Sequence, residues 1–171
     1  NKELYIYGPK GFKKIIEEFI DLEHLKNGFK IKIEEVYGKF YDSKDFYLEA
    51  ESMEHGIPTN SYNFVIKSKS RIDKSKLKKY KIQEGPLLKD IKEGKDIIYN
   101  GKKYKAKELA YIEEGKKVSI VLDTLFNNRI KKFAENADLL ICDSSFSSEN
   151  SKEAKEHLHL TAKQDGEIAK T

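Results

Sequence analysis

Histidine and aspartate residues stand at points of the sequence where predicted strands end. His55 follows one predicted strand and is itself followed by Gly56 and Pro58, which end that strand. Asp123 follows the clearest buried strand, and Asp143 follows the next strand along the chain. Neutral imidazole and carboxylate are suitable ligands for zinc or manganese. A carboxylate at a strand end can also bridge two metal ions, as two-metal cleavage of phosphodiesters requires.

A second polar group precedes the last predicted helix and contains His157, His159 and Thr161. Each of the candidates also has an ordinary structural explanation. A histidine after a strand is commonly a hydrogen-bonded loop residue, and an aspartate there commonly caps a helix or forms a turn. His157 and His159 are compatible with ordinary surface positions. Two ligands do not complete a zinc site, which takes three or four protein ligands. The residues alone therefore leave the metal interpretation open.

The elements that must position these side chains are predicted from apolar spacing and from Gly and Pro. Residues 3–7 predict a strand that ends at Gly8-Pro9, and an amphipathic helix follows from about Pro9 to His24. Further strands are predicted at 29–33, 46–51, 61–66, 117–122 and 137–142, and helices at 127–137, at 151–157 and from Thr161. This order predicts a mixed α/β domain whose strands deliver polar side chains from their C-terminal ends.

Two local patterns predict particular backbone geometries. Asn100-Gly101 lies between the short runs 97–99 and 103–104, which predicts a type I′ hairpin. Thr161 with Gln164 three residues later predicts a capping box at the start of the last helix.

Positive charge is concentrated in one part of the chain. The sequence has 33 Lys and Arg against 29 Asp and Glu, a net charge of +4. The segment from Lys67 to Lys81 contains a single acid, Asp73, and therefore carries +7, which leaves −3 for the remainder. Its eight basic residues are Lys67, Lys69, Arg71, Lys74, Lys76, Lys78, Lys79 and Lys81. Such a block attracts polyanions by counterion release, although a solvated, lysine-rich surface has the same composition.

The composition excludes several classes of protein. The 171 residues suffice for one domain with a hydrophobic core, and no apolar run approaches the ~20 residues of a membrane span. The single cysteine, Cys142, excludes an intrachain disulfide and a zinc ribbon and suits a reducing cytoplasm. The first residue is Asn1, and a predicted strand begins almost at once. We therefore expect the chain to be an internal piece of a longer protein.

Taken in order, several segments resemble ribonuclease Z, the tRNA 3′-processing endonuclease of the metallo-β-lactamase superfamily. The opening residues Leu4–Gly11 resemble the family segment that follows its first metal motif, and Glu54–Pro58 with Tyr62 resembles the mid-chain histidine block. The basic stretch that leads to Gly85–Leu88 resembles the family's flexible arm.

The resemblance continues through the later motifs. Leu122–Thr124 stands in the place of the family's Gly-Asp-Thr, Leu140–Phe146 in that of His-Glu-Ala-Thr, and His159–Ala162 in that of His-Ser-Thr. This co-linear order over essentially the whole chain is more specific than any single motif.

The resemblance implies a fold and a set of site residues. Residues 1–171 would form part of a metallo-β-lactamase-like αβ/βα sandwich, with residues 68–95 as a protruding, flexible arm that binds tRNA. We expect this arm to be mobile, because it shows no apolar face of its own to bury. His55 would be a metal ligand and Asp123 the carboxylate that bridges two zinc ions. His159, paired with Asp143, would protonate the leaving group.

The resemblance also implies an activity and partners. The complete protein would be a zinc-dependent endoribonuclease that removes the 3′ trailer from precursor tRNA in the cytoplasm, as a homodimer. The eight basic residues of the Lys67–Lys81 segment would contact tRNA phosphates. Lysine offers point-charge contacts and little base readout, so recognition would follow backbone shape rather than sequence.

Some features depart from the family pattern. The His-x-His-x-Asp-His block and the closing histidine ligand are absent from these 171 residues, so we expect the isolated chain to be inactive and to bind metal poorly. Leu122 replaces a glycine beside the bridging carboxylate, Asp143 is one methylene shorter than the family's glutamate, and Leu160 replaces a serine.

Two other functions remain open at this point. One is a metallo-β-lactamase-type hydrolase of small esters, which has no need of a basic arm. The other is a catalytically inactive, tRNA-binding paralogue, which would keep the arm without the missing histidines.

Overall fold

The computed structural model describes residues 2–22 and 29–170. The chain divides into two compact units, which we call unit 1 (Asn1–Ile66 with Lys117–Thr171) and unit 2 (Lys67–Lys116). Among the described residues, no helix has the length and apolar character that a membrane crossing needs.

The secondary structure is a succession of short strands and helices. The strands are β1 (Lys2–Gly8), β2 (Phe29–Glu35), β3 (Gly38–Asp42), β4 (Phe46–Glu54), β5 (Pro58–Ile66), β6 (Lys69–Ile72), β7 (Ile97–Tyr99), β8 (Lys102–Tyr104), β9 (Ala110–Glu113), β10 (Lys116–Val121) and β11 (Leu139–Cys142). The α-helices are α1 (Phe12–Leu22), α2 (Lys74–Lys79), α3 (Leu87–Lys92), α4 (Ala106–Leu109), α5 (Asn128–Ala134), α6 (Ser151–Glu156) and α7 (Ala162–Ile168).

Unit 1 is built on a five-stranded sheet in the order β11-β10-β5-β4-β3. β10 and β11 are parallel, with Val121 opposite Cys142, so both strands end at the same edge of the sheet. β4 and β5 form an antiparallel hairpin. Side chains from β4, β10, α5 and α7 share one core, whose buried members are Met53, Val121, Ile130, Ala134, Leu160 and Ile168.

The first strands of unit 1 form a separate parallel pair, β1 with β2. α1 begins at Phe12 rather than at Pro9, because Gly8 to Gly11 form a turn in which the Phe12 N–H bonds to the Pro9 carbonyl. A Cβ on Gly8 would lie 2.1 Å from the Phe12 ring, so this close approach requires glycine. The predicted helix end at His24 lies outside the described residues.

Unit 2 has a hydrophobic core of its own. Leu77 of α2 and Ile91 of α3 are buried with five further residues, Ile82, Ile97, Tyr104, Ala106 and Leu109. The expectation that residues 68–95 bury no face of their own is therefore wrong. Short elements supply one or two core residues each, so no sequence window shows a regular apolar period.

The type I′ hairpin predicted in unit 2 is confirmed. β7 and β8 are antiparallel, with Tyr99 opposite Lys102. Asn100 and Gly101 between them both have positive φ, 49° and 75°, as this turn requires.

Candidate metal centre

His55 lies in the tight loop between β4 and β5. Glu54 pairs with Pro58 across the hairpin, so the loop consists of His55, Gly56 and Ile57. Gly56 adopts a left-handed φ of 75°, a conformation that glycine takes without the steric cost of a Cβ. The hairpin therefore fixes the backbone that carries the His55 imidazole.

Asp123 follows β10 and is held beside the same hairpin. The buried Thr124 hydroxyl accepts a hydrogen bond of 3.3 Å from the Glu54 N–H, and the Leu125 N–H donates to the Glu54 carbonyl at 2.7 Å. Asp123 itself has a φ of 47°, which is uncommon for a residue with a Cβ. These bonds join the exit of β10 to the end of β4, and this brings Asp123 close to His55.

The turn after α6 supplies the third side of the centre. The His159 N–H bonds to the Ala154 carbonyl at 2.8 Å and the Leu158 N–H to the Lys155 carbonyl at 3.3 Å, which is a Schellman arrangement. Leu158 occupies the left-handed position of this turn, with φ 59°, where glycine is usual.

Leu158 contacts the His55 loop in two ways. Its carbonyl oxygen lies 3.1 Å from His55 Nδ1. Its Cδ1 packs so close to Gly56 that a Cβ there would be 3.1 Å away. A bond from Nδ1–H to this carbonyl leaves His55 Nε2 with its lone pair free, the form that binds a metal.

His55, Asp123 and His159 converge on one point. One potential ligand atom from each lies within 4.8 Å of the others, and the two imidazole centroids are 4.9 Å apart. His159 Nδ1 bonds to Asp143 Oδ2 at 2.7 Å and lies 4.0 Å from Asp123 Oδ1. The Asp123 side chain is 57% exposed, whereas those of His159 and Asp143 are 23% and 20% exposed.

This donor set fits a divalent metal such as zinc. Two imidazoles and a carboxylate are suitable first-row metal ligands, and their spacing allows one ion to reach all three after small side-chain movements. The exposed Asp123 carboxylate has further lone pairs that could contact a second ion. The Asp143 bond to His159 Nδ1 leaves the Nε2 of His159 without that partner, so Nε2 is the ring nitrogen that could act as a ligand or as a proton carrier.

Cys142 does not contribute reactive chemistry at this site. Burial, together with the nearby Asp165 carboxyl, raises the pKa of its thiol to about 12. The thiol therefore stays protonated near neutral pH, where only a thiolate is a good nucleophile or metal ligand. Cys142 packs instead against the core of unit 1, as a small apolar residue does.

All four residues expected at the site are brought together in unit 1. The convergence was predicted for His55, Asp123, Asp143 and His159, whereas their individual roles stay predictions. Leu158 was not predicted, because leucine gives no sequence signal for a left-handed turn. Thr124 was part of the quoted motif without an assigned role. The capping box of Thr161 and Gln164 that begins α7 is confirmed.

The basic segment Lys67–Lys81 lies in unit 2 and is partly neutralised within it. Arg71 pairs with Glu113 at 2.6 Å, and Lys76 lies 3.7 Å from Asp73. In the described part of the chain, Lys74, Lys78 and Lys81 form no ion pair, and Lys79 lies over the Tyr80 ring. These ammonium groups keep their charge available for an external anion.

Solved structures place this architecture in a known fold. Human tRNase Z, short form, superposes with a TM-score of 0.61 at 17% identity, covering 99% of this chain and 56% of that one. The metallo-beta-lactamase fold protein YhfI from Bacillus subtilis gives 0.53 at 16% identity, covering 98% and 47%. The chain therefore has the metallo-β-lactamase fold, as predicted.

Curated sequences point to one group of proteins with this fold. The chain is 38% identical over 161 residues to Ribonuclease Z of Nanoarchaeum equitans, covering 94% of the chain and 51% of that protein. It is 32% identical over 174 residues to Ribonuclease Z of Borrelia recurrentis, covering 98% and 54%. The similarity to ribonuclease Z predicted from the motifs is thus confirmed, and the chain spans about half the length of these relatives. No family model matches the sequence.

Proposed function

We propose that this chain is about half of a zinc-dependent endoribonuclease that removes the 3′ trailer from precursor tRNA. The observation that carries the proposal is the meeting of His55, Asp123 and His159 within 4.8 Å, in a chain similar to ribonuclease Z. These residues are distant in the sequence, and the fold brings two imidazoles and a carboxylate together. The remaining zinc ligands would come from protein outside these 171 residues.

Each residue of the centre has a defined task in this proposal. His55, through Nε2, and Asp123 would be ligands for two zinc ions. Zinc bound there would supply a water of lowered pKa and would neutralise charge on the scissile phosphate. Asp143 holds the proton of His159 on Nδ1 and orients the ring, so that its Nε2 can deliver a proton to the departing 3′-oxygen.

Unit 2 would bind the body of the tRNA in the same proposal. Its lysines offer contacts to phosphates without base readout, which suits a substrate recognised by its shape. Binding energy from these contacts would then help to position the scissile bond at the centre. The predicted tRNA-binding arm, residues 68–95, is part of this proposal. It lies within the longer compact segment of unit 2, residues 67–116, and this supports its assignment as an insertion.

A homodimer in the cytoplasm completes the proposal. Both parts are what the resemblance to ribonuclease Z implies, and the single cysteine of the chain suits a reducing compartment.

The decisive test is cleavage of precursor tRNA by the full-length protein that contains this chain. We expect release of the 3′ trailer, dependence on added zinc, and zinc bound to the purified protein. Asp123→Ala should abolish cleavage and lower the zinc content together. Asp45→Ala, an aspartate in the turn between β3 and β4, serves as the control and should leave both unchanged.

Three outcomes would contradict this function. Retained cleavage in Asp123→Ala would remove the carboxylate from the metal site. Precursor tRNA binding without cleavage in the zinc-loaded wild-type protein would favour an inactive, tRNA-binding paralogue. Efficient hydrolysis of a small phosphodiester with no binding of tRNA would favour a small-substrate hydrolase.

A further inference from the structure

Four aromatic rings form a row that leads from the candidate metal centre to the surface of unit 1. The centroids of His55 and His159 are 4.9 Å apart, those of His159 and Phe146 6.0 Å, and those of Phe146 and His157 6.0 Å. The planes of Phe146 and His157 differ by only 10°, so these two rings are stacked. His55, His159 and Phe146 are half-buried, whereas His157 is exposed.

The two outer rings are carried by firmly anchored backbone. The Phe146 carbonyl accepts a hydrogen bond of 3.0 Å from the Ala162 N–H, and Phe146 forms a parallel bridge with the buried Thr161. His157 caps the C-terminus of α6, where its N–H bonds to the Glu153 carbonyl at 2.9 Å. Phe146 packs against the His157 ring in an offset, near-parallel contact, and the His157 residue is exposed to solvent.

We propose that Phe146 and His157 form a stacking platform for a nucleobase beside the phosphodiester that is cut. This inference rests on the proposed function. Because Phe146 contacts both His157 and His159, a base stacked at His157 would lie near the centre. Base stacking on an aromatic ring tolerates any sequence, because every base has a π face. The platform therefore holds the single-stranded end of an RNA in register without reading its sequence.

The test measures stacking directly and without cleavage. The full-length protein is titrated, in EDTA, into a short RNA that carries 2-aminopurine at the nucleotide beside the cleavage position. Stacking quenches the fluorescence of this base. We expect quenching by the wild-type protein, its loss with His157→Ala together with an affinity about tenfold weaker, and its recovery with His157→Phe.

A matched control removes a similar ring elsewhere on unit 1. Tyr41 is also exposed and stacks on a phenylalanine, Phe46, at 5.2 Å, but it lies on β3 at the opposite edge of the sheet from β11. Tyr41→Ala should bind and quench as the wild-type protein does. Circular dichroism of each variant checks that the fold is retained.

The outcomes separate this inference from the proposed function. The platform is rejected if the wild-type protein binds the RNA without quenching, if it fails to bind it, or if His157→Ala quenches as well as wild type. A protein that shows the expected quenching pattern but never cuts precursor tRNA keeps the platform and loses the nuclease assignment.

Discussion

The candidate metal centre and unit 2 are assembled in opposite ways. The centre gathers His55, Asp123, Asp143 and His159 from loops that are up to about a hundred residues apart in the sequence. Unit 2 is one continuous stretch, Lys67–Lys116, that folds around its own small core. The comparison shows that reactive geometry needs distant strands to be held in register, whereas a charged surface needs only a compact local support.

The two regions also differ in charge. Unit 2 has 16 basic and 8 acidic residues, a net charge of +8, which leaves −4 for the remainder of a chain whose total is +4. Under the proposed function, the attraction for RNA belongs to unit 2 and the chemistry to unit 1. Variants in the two regions should therefore fail in different ways.

The largest effect is expected at the paired residues of the centre. Under the proposed function, Asp143→Asn in the full-length protein removes the carboxylate that holds the Nδ1 proton of His159, so kcat should fall about 10³-fold. RNA affinity and zinc content should stay near wild type, because the proposed function gives Asp143 no contact with either. Single-turnover cleavage and metal analysis measure these quantities. A loss of zinc equal to the loss of rate would instead make His159 a metal ligand.

Removal of charge from unit 2 should weaken RNA binding rather than slow the chemical step. Lys74, Lys78 and Lys79 lie on α2, so alanine at all three keeps the helix while it removes three phosphate contacts. We expect precursor tRNA to bind about 100-fold more weakly at low salt, with a salt dependence flatter by about two to three units of slope.

A second triple variant controls for net charge alone. Lys13, Lys14 and Lys152 are exposed helical lysines of unit 1, and alanine at all three removes the same charge. Filter binding across a salt series should show little change for this control. Equal weakening by both triple variants would mean that RNA responds to total charge and that unit 2 is no binding surface.

Backbone strain at Leu158 should have a smaller effect, and this effect is on the free energy of unfolding. Leu158 has a left-handed φ, so Leu158→Gly should be more stable than Leu158→Ala by about 1 kcal/mol. At Lys152, in the helix α6 that ends before Leu158, the order should reverse, with glycine less stable than alanine by about 1 kcal/mol. Urea denaturation of the four variants measures both differences, and the same order at both sites would contradict the strain.

The smallest effect concerns acid stability in unit 2. Asp73 caps α2, and the hydrogen bond from the Ser75 hydroxyl, with those from backbone N–H groups, lowers the pKa of its carboxyl. A lowered folded pKa gives stability above the unfolded pKa of about 4, and this stability is lost as the pH falls through the folded value. Asp73→Asn keeps a cap that cannot titrate, so its stability should change less between pH 4 and pH 2. Thermal unfolding followed by circular dichroism tests this.

The sequence predicted the strands and turns that have strong local patterns. Asn100-Gly101 and the pair Thr161 with Gln164 define their own geometry, and β10 and β11 are apolar runs bounded by polar residues. Five short elements were not predicted, namely β3, β6, β9, α2 and α4. Each is stabilised by residues that lie far from it in the sequence, so the local sequence alone does not indicate it.

The candidate site could be predicted only in part. The types of His55 and Asp123 suggested metal chemistry, but their proximity came from the resemblance and not from residue spacing. Nothing local indicates that the Thr124 hydroxyl joins two strand ends or that the Leu158 carbonyl meets His55. Contacts of this kind depend on which distant strands pair with one another in the sheet. Local sequence propensity does not determine that pairing.

The two ends of unit 2 lie side by side. β6 and β9 are its first and last strands and pair with Lys69 opposite Glu113, and the Gly115 N–H bonds to the Ser68 hydroxyl at 2.9 Å. A segment whose ends meet can be excised and the gap closed by a short turn, as in domain insertions generally. This segment could therefore be lengthened, exchanged or deleted without a change to the five-stranded sheet, and under the proposed function RNA binding and cleavage would then vary separately.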